Sequence, residues 1–243
     1  MKHGKLIQER SLSVKNKDRK KSKAKEEIKL YCLSGLGVDK RAFLNFTPQN
    51  IELIHIKWIE PISSETLEEY ANRLYKSIEI GSKYNLIGVS FGGMIAVEFS
   101  KIKKPEELFL VSTVTNTQEF STILKIGINL KLQKIIPSFL LKRSNYITHY
   151  FFGIKTSTDK RLLKKILKET NTIFLKWAIN SIAEWKNNDE YLWTRIHGTE
   201  DRILPVKRNI DYKIIGGGHF MIVTHGKEIT KIVEKQIFNR IQT

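Results

Sequence analysis

The hydrophobic positions of the chain follow two spacings. Short apolar runs rich in β-branched residues, typical of strands buried on both faces, occur at 28–33, 51–56, 84–89, 107–113, 192–198 and 212–215. Elsewhere apolar residues recur every three or four positions, which predicts helices at 39–46, 61–78, 92–103 and 226–240. Because strands and helices alternate at short intervals, we predict an α/β fold with a doubly wound, mostly parallel sheet.

Two helix starts carry candidate capping residues. Asp39 precedes the first short helical stretch and is a candidate N-cap. For the stretch that follows Pro61, we expect Ser63 or Ser64 to cap the helix, whose apolar positions continue to Ile78.

The alternation of strand and helix stops after the run at 107–113. From about Asn116 to Asn188 the sequence contains no convincing strand, but it contains helical patterns at 120–143 and 160–185. We therefore predict a helical cap inserted over the carboxyl edge of the sheet. The predicted boundaries are 28–115 and 189–243 for the core and 116–188 for the cap.

The pattern at 120–143 is both apolar and basic, and it leaves two interpretations open. The segment forms either a lid that buries one face on the core, or a lid that receives acyl chains or rests on an anionic membrane. Trp177 and Trp185 in the second helical pattern are candidates either for substrate lining or for core packing.

The composition limits the classes of site that the chain can build. A length of 243 residues with 41% hydrophobic content suits one sizeable α/β domain. The single cysteine, Cys32, excludes an internal disulfide, and its apolar strand predicts a buried thiol. The six histidines are scattered, and neither H-E-x-x-H nor a phosphate-cradling G-x-x-x-x-G-K occurs. We expect neither a metal nor another cofactor.

The net charge of +17 first suggests a nucleic-acid or membrane partner. Lysine is spread along every segment, however, which argues against a nucleic-acid site. Residues 1–27 carry ten Lys/Arg and four Asp/Glu, and their dense like charges predict a disordered tail. An alternative is that this tail contacts RNA or an anionic surface. No signal-peptide core and no transmembrane-length apolar run occurs, so we expect a cytoplasmic protein.

The most informative motif joins the strand at 84–89 to the helix that follows it. It reads Gly88-Val89-Ser90-Phe91-Gly92, a G-x-S-x-G pattern. A chain that passes from strand to helix so abruptly forces the central residue into a strained conformation, and glycine on either side avoids a Cβ clash. Ser90 then projects its hydroxyl above the sheet edge, where the amides at the helix N-terminus could hold a developing oxyanion.

A serine hydroxyl becomes a good nucleophile only beside a base that a third group orients. Asp201 lies in a loop after a predicted strand, and His219 lies in a glycine-rich loop after the next strand. Glu119 is an alternative acid, and His197 and His225 are alternative bases. The order serine, acid, histidine is the one expected for a serine hydrolase built on this type of sheet.

Three sequence blocks carry a resemblance to the α/β-hydrolase family, which extends from about Leu30 to the C-terminus. They are Gly88-Val89-Ser90-Phe91-Gly92, His197-Gly198-Thr199-Glu200-Asp201-Arg202-Ile203-Leu204-Pro205 and Gly218-His219-Phe220. The resemblance implies that Ser90 is the nucleophile, His219 the general base and Asp201 its orienting acid. It also implies that His197 belongs to the structural H-G before the acid loop.

The resemblance further implies an oxyanion hole formed by the amides of Leu36 and Phe91. The usual H-G-x-G at the first of these positions is here Ser34-Gly35-Leu36-Gly37, a departure at Ser34. The implied activity is cleavage of a carboxylic ester or thioester of a small-molecule acyl substrate through an acyl-enzyme. An acyltransferase or lyase that uses the same triad is one alternative, and a non-catalytic binding protein is another. A serine nucleophile disfavours dehalogenase and epoxide hydrolase chemistry, which in similar proteins uses aspartate.

Overall fold

The computed structural model describes residues 27–131, 137, 142–187, 193–206 and 208–242. The predicted basic tail lies outside the described residues except for Glu27. Parts of the predicted cap also lie outside them, namely 132–136, 138–141 and 188. The boundaries that we predict for the tail, the core and the cap therefore remain predictions.

The described strands form a single sheet in the order β2-β1-β3-β4-β5-β6, and each neighbouring pair is parallel. Their bounds are β1 Ile28–Leu33, β2 Ile51–His55, β3 Asn85–Val89, β4 Glu107–Val111, β5 Thr194–Gly198 and β6 Tyr212–Ile214. The order reverses direction beside β1 and β3, which is the region where open α/β sheets bind ligands. The α/β doubly wound architecture predicted from the sequence is confirmed.

Helices flank the sheet on both faces and make up most of the described part of the segment between β4 and β5. The α-helices are α1 Leu67–Lys76, α2 Phe91–Ile102, α3 Thr122–Asn129, α4 Tyr146–Phe152, α5 Ser157–Glu169, α6 Thr172–Glu184, α7 Met221–Thr224 and α8 Gly226–Gln242. Short 3-10 helices occur at Lys40–Phe43 and Thr117–Glu119. In the described ranges, no helix combines the length and the apolar character needed to cross a bilayer.

The central strands are buried on both faces, which explains their continuous apolar sequences. In β1, Leu30 and Cys32 pack into one core while Tyr31 and Leu33 pack into the other. The first core includes residues of α8, and the second includes residues of α1 and α2. Cys32 is 1% exposed, so the predicted burial of its thiol is confirmed.

The predicted caps differ in outcome. Asp39 accepts a hydrogen bond from the amide of Arg41 at 2.9 Å and caps the first 3-10 helix, as predicted. The prediction of Ser63 or Ser64 as the cap of α1 is wrong. Thr66 is the N-cap and forms a reciprocal capping box with Glu69. The Thr66 hydroxyl accepts from the Glu69 amide at 3.2 Å, and the Glu69 carboxylate accepts from the Thr66 amide at 2.8 Å.

We call residues 112–193 the β4–β5 segment, of which the structure describes 112–131, 137, 142–187 and 193. Its two ends lie together, because the side-chain amide of Asn187 donates to the carbonyl of Thr115 at 2.6 Å. The helical pattern predicted at 160–185 is two helices, since the side chain of Asn171 accepts hydrogen bonds from two amides of α6 and starts that helix anew.

Two tryptophans attach the end of this segment to the core. The indole of Trp177 donates to the carbonyl of Glu65 at 2.8 Å, and the indole of Trp185 donates to the buried carboxylate of Glu98 at 2.7 Å. Both rings are buried, and Trp177 also contacts the ring of Phe91 at a centroid distance of 6.1 Å. Core packing therefore accounts for these residues.

Candidate active site

Ser90 occupies the sharp turn between β3 and α2. Its backbone angles, φ 53° and ψ −120°, lie in a region that non-glycine residues rarely adopt. The turn is held from both sides, because the Ser90 amide donates to the carbonyl of Val111 at 2.9 Å and the Ser90 carbonyl accepts from the hydroxyl of Thr113 at 2.7 Å. The end of β4 and the loop after it therefore hold Ser90 in this strained conformation.

The glycines that flank Ser90 allow the backbone segments to approach one another closely. A Cβ on Gly88 would lie 2.6 Å from both the carbonyl oxygen of Gly92 and the Cα of Gly93. A Cβ on Gly92 would overlap the carbonyl oxygen of Ser34 at the end of β1. The steric reason for the glycines of the G-x-S-x-G motif is thus confirmed at both positions.

The structure brings Ser90, His219 and Asp201 together at the carboxyl edge of the sheet. The hydroxyl oxygen of Ser90 lies 2.8 Å from Nε2 of His219, and Nδ1 of His219 lies 2.8 Å from Oδ2 of Asp201. An ionised carboxylate can only accept a hydrogen bond, so Asp201 requires a donor at Nδ1 of His219. In the neutral imidazole the proton is therefore on Nδ1, and Nε2 accepts from the Ser90 hydroxyl.

Asp201 is buried and fully hydrogen-bonded. Its Oδ1 accepts from the amides of Ile203 and Leu204, both at 2.9 Å, while its Oδ2 faces His219. Burial alone would raise the pKa of Asp201, but the charge of His219 and hydrogen bonds from His197 and His219 outweigh it and hold this pKa well below the usual range. Asp201 therefore stays ionised at neutral pH.

The alternative bases have other partners. Nε2 of His197 lies 2.8 Å from the carbonyl of Leu204 and 3.4 Å from Oδ2 of Asp201, so this ring supports the acid loop. The ring of His225 contacts the hydroxyl of Thr224 at 2.8 Å. Among these histidines, the contact between ring and Ser90 hydroxyl belongs to His219.

The alternative acid, Glu119, forms an ion pair elsewhere. Both of its oxygens accept from the guanidinium of Arg195 at 2.7 Å, and one also accepts from the amide of Thr115 at 3.1 Å. Arg195 is on β5 and is buried. Glu119 thus joins the start of the β4–β5 segment to the sheet, while Asp201 holds the position beside His219.

The loop after β1 lies next to Ser90. A Cβ on Gly35 would lie 3.8 Å from Cβ of Ser90, and Leu36 and Phe91 line the same cavity as Ser90. Phe91 is the first residue of α2, and an amide at that position has no acceptor within its own helix. The loop is braced by the indole of Trp58, which donates to the carbonyl of Val38 at 3.1 Å.

Ser90 and His219 open into a cavity of about 740 Å³. The β4–β5 segment provides much of its wall through α3, α5 and α6. The wall there consists of aliphatic side chains, including Leu124, Ile128, Leu163, Ile166 and Ile179. Neither Trp177 nor Trp185 is among the lining residues. Among the described residues that line the cavity, the Lys and Arg side chains are Lys142 and Arg202, and no Asp or Glu is present.

Two contacts at the site, one made by Phe152 and one made by Tyr150, were not predicted from the sequence. The ring of Phe152 packs edge-on against the imidazole of His219 at a centroid distance of 5.8 Å, and its carbonyl accepts from the amide of Phe220 at 3.1 Å. The guanidinium of Arg202 lies over the ring of Tyr150 at 4.3 Å. Both contacts join α4 to distant loops, and the only sequence signal for them is the aromatic run at 150–152.

Within the ranges that the structure describes, no group of three or more His, Cys, Asp or Glu side chains could hold a metal ion. The described side chains at the site offer a serine hydroxyl, an imidazole and a carboxylate.

Comparisons with known proteins identify the fold. No protein-family model matches the sequence, and no curated protein matches it significantly. Solved structures do match. A thermophilic esterase shares 15% identity, with a TM-score of 0.63 over 88% of this chain and 91% of its own. A lipase-esterase related protein from Clostridium acetobutylicum shares 13% identity, with a TM-score of 0.62 over 87% and 95%.

A third match is an epoxide hydrolase, which shares 15% identity with a TM-score of 0.60 over 87% of this chain and 90% of its own. Likeness at these identities is a likeness of fold. The parallel sheet, its flanking helices and these structural neighbours agree, and the chain has the α/β-hydrolase fold.

Proposed function

We propose that the protein is a serine hydrolase that cleaves a carboxylic ester or thioester through an acyl-enzyme. The observation that carries the proposal is the continuous chain of contacts from the Ser90 hydroxyl through His219 to Asp201, with both distances at 2.8 Å. Such a chain is what a hydroxyl needs in order to lose its proton as it attacks.

In the first half-reaction, the Ser90 oxygen attacks the acyl carbon while its proton passes to Nε2 of His219. The ionised Asp201 stabilises the imidazolium that forms. The amides of Phe91 and Leu36 donate to the oxyanion of the tetrahedral intermediate. When this intermediate collapses, the bond to the leaving alcohol or thiol breaks, and that group takes the proton from His219.

In the second half-reaction, water replaces the leaving group. His219 accepts a proton from the water as its oxygen attacks the acyl carbon of the acyl-enzyme. Collapse of the second tetrahedral intermediate releases the carboxylic acid and returns the proton to the Ser90 oxygen. The protein therefore ends the cycle in its starting state and requires no further reactant.

The cavity supports an apolar acyl group as the substrate portion next to Ser90. Its aliphatic wall would gain free energy from burying such a chain, and its volume lies in the range typical of small-molecule sites. Two of the structural neighbours are named as an esterase and a lipase-esterase related protein. Another is an epoxide hydrolase, but the nucleophile position in this chain holds a serine, which favours acyl transfer over epoxide opening.

The test begins with covalent labelling by a fluorophosphonate, followed by hydrolysis of p-nitrophenyl esters of increasing chain length. Labelling should occur at Ser90 and should be lost in Ser90→Ala. Hydrolysis should fall by roughly 10⁴-fold or more in Ser90→Ala and in His219→Ala, because the serine and the histidine act as a unit.

Matched control variants distinguish a loss of catalysis from a nonspecific effect of substitution. Ser100→Ala changes a serine on the same helix whose hydroxyl only caps a carbonyl of that helix, and His225→Ala changes a histidine outside the contact chain. Both should retain activity. An unlabelled, inactive protein that is folded would instead favour the non-catalytic binding protein. Ester products formed with an added alcohol or thiol acceptor would indicate the acyltransferase.

A further inference from the structure

Helix α4 exposes an apolar face to solvent. Tyr146 is 82% exposed and Ile147 is 64% exposed, and Tyr150 and Phe151, one turn later, are exposed as well. Residues four positions apart lie on the same side of a helix, so these four side chains form one surface. Large exposed apolar surfaces are uncommon on monomeric proteins and mark interaction sites.

Helix α3 contributes apolar side chains both to the solvent-exposed surface and to the cavity. Ile126 of this helix and Leu130 directly after it are exposed, while Leu124 and Ile128 of the helix line the cavity that contains Ser90. On α4, Phe151 is both exposed and part of the cavity lining. The two helices therefore present apolar side chains to the cavity and to solvent. We call the solvent-exposed apolar residues of α3 and α4 the α3–α4 face.

Exposed basic side chains lie beside the α3–α4 face. The described residues from Phe120 to Thr158 include five Lys/Arg and no Asp or Glu, and one of the five, Lys155, pairs with Glu200 at 3.5 Å. Lys131 and Arg143, which follow α3 and precede α4, are exposed, and no carboxylate of the described residues lies within ion-pair distance of either. Exposed cations that have no carboxylate partner attract an anionic surface.

We propose that the α3–α4 face docks on the surface of an anionic lipid bilayer. The aromatic and aliphatic side chains would enter the headgroup region, while Lys131 and Arg143 would lie near lipid phosphates. Charge complementarity selects this partner. A second copy of the chain would bring the same basic surface against itself, and an uncharged apolar partner would leave the cations without counter-ions. Docking would place Phe151, and with it the wall of the cavity, at the lipid boundary.

The test measures sedimentation of the full chain with vesicles of phosphatidylcholine alone or mixed with phosphatidylglycerol. We expect binding to the mixed vesicles and weak binding to phosphatidylcholine. Binding should decrease as NaCl is raised, since salt screens the attraction over about 10 Å at 0.1 M. Equal binding to both vesicle types would overturn the proposal.

Variants locate the contact on the chain. Lys131→Glu/Arg143→Glu should weaken binding by about tenfold or more, because each basic residue near an anionic surface contributes about fivefold. Tyr146→Ser/Ile147→Ser should weaken binding by a similar factor. The control Ile241→Ser removes an equally exposed side chain from α8 and should bind like the wild type.

The same assay distinguishes the proposal from its rivals and from the proposed chemistry. Unchanged binding in both double variants would place the contact in the basic tail and overturn the proposal. A dimer in analytical ultracentrifugation that Tyr146→Ser/Ile147→Ser abolishes, without an effect on vesicle binding, would identify a second copy as the partner. Ser90→Ala should bind vesicles like the wild type, so docking does not depend on the proposed function. Circular dichroism melting checks that each variant is folded.

Discussion

Gly153 and Gly218 pack backbone against backbone. A Cβ on Gly153 would lie 2.7 Å from the Cα of Gly218, and a Cβ on Gly218 would lie 2.6 Å from the Cα of Gly153. Gly153 ends α4, and Gly218 immediately precedes His219. The contact therefore allows the end of α4 to pack directly against the loop that carries His219. Phe152 packs against the imidazole ring of His219 itself.

We predict that Gly218→Ala displaces His219 and impairs ester hydrolysis. The added methyl has no room, because it would also lie 2.8 Å from the carbonyl oxygen of Phe152. A displacement of about 1 Å at a catalytic group can cost about a hundredfold in rate, so kcat/KM should fall by at least about tenfold. Steady-state kinetics with a p-nitrophenyl ester measures this effect.

Gly81→Ala is the matched control. A Cβ at Gly81 would lie 3.5 Å from its nearest neighbour, which is ordinary contact, so this variant should keep full activity. Equal activities of Gly218→Ala and Gly81→Ala would show that the glycine contact does not position the imidazole.

Local sequence patterns predicted the sheet and the position of Ser90 well. The turn at Ser90 depends mainly on residues within a few positions, because a Cβ on Gly88 would meet Gly92, Gly93 and Ala96. The glycine at Gly92 is required by Ser34, which follows the neighbouring strand β1. Asp201 and His219 could be predicted as partners of Ser90 because each follows a strand of a parallel sheet, whose carboxyl ends share one edge.

The sequence could not predict contacts that depend on how distant helices pack. Nothing near Phe152 indicates that its ring meets His219, which lies far along the chain, and the aromatic side chains of α4 would suit an ordinary buried helix equally well. The wrong cap of α1 has a local cause. Ser63, Ser64 and Thr66 are all competent caps, and the choice fell to Thr66 because Glu69 completes the capping box three residues later.

The contacts of Asp201 predict a severe loss of activity in Asp201→Asn. The amides of Ile203 and Leu204 both donate to Oδ1, so the oxygen of the asparagine must take that place and its NH₂ must face His219. Nδ1 of His219 would then have to accept, and the ring proton would move to Nε2, where it blocks proton transfer from Ser90. We expect kcat to fall by about 10⁴-fold, the effect of a wrong tautomer.

Glu119→Gln is the control that separates the two acids. Glu119 pairs with Arg195 rather than with a histidine of the site, so its amide variant should keep most of the activity. Parallel kcat measurements decide the assignment, and an acid role for Glu119 would appear as the reverse pattern, with Asp201→Asn active and Glu119→Gln inactive.

The ionisation of Asp201 predicts a pH dependence of stability. Since the pKa of Asp201 is lowered in the folded protein, its carboxylate contributes stability that is fully present above the pKa of an unfolded aspartate, about 4. That contribution is lost as the pH falls through the lower folded pKa. The difference in Tm between the wild type and Asp201→Asn should therefore be largest near neutral pH and shrink on acidification below about pH 4. A difference that stays constant from neutral to acidic pH would contradict the lowered pKa.

The ion pair between the buried Arg195 and the partly buried Glu119 predicts a specific pattern of stability changes. Arg195→Met removes the cation and leaves the carboxylate of Glu119, among the described residues, with Thr115 as its hydrogen-bond donor. The free energy of unfolding should therefore fall by about 3 kcal/mol. Adding Glu119→Gln removes the uncompensated charge and keeps an acceptor for the amide of Thr115. The double variant should therefore be more stable than Arg195→Met alone, by about 1 kcal/mol or more. Urea unfolding of the wild type, Arg195→Met, Glu119→Gln and the double variant completes the cycle. Strictly additive losses would show that the two side chains do not interact.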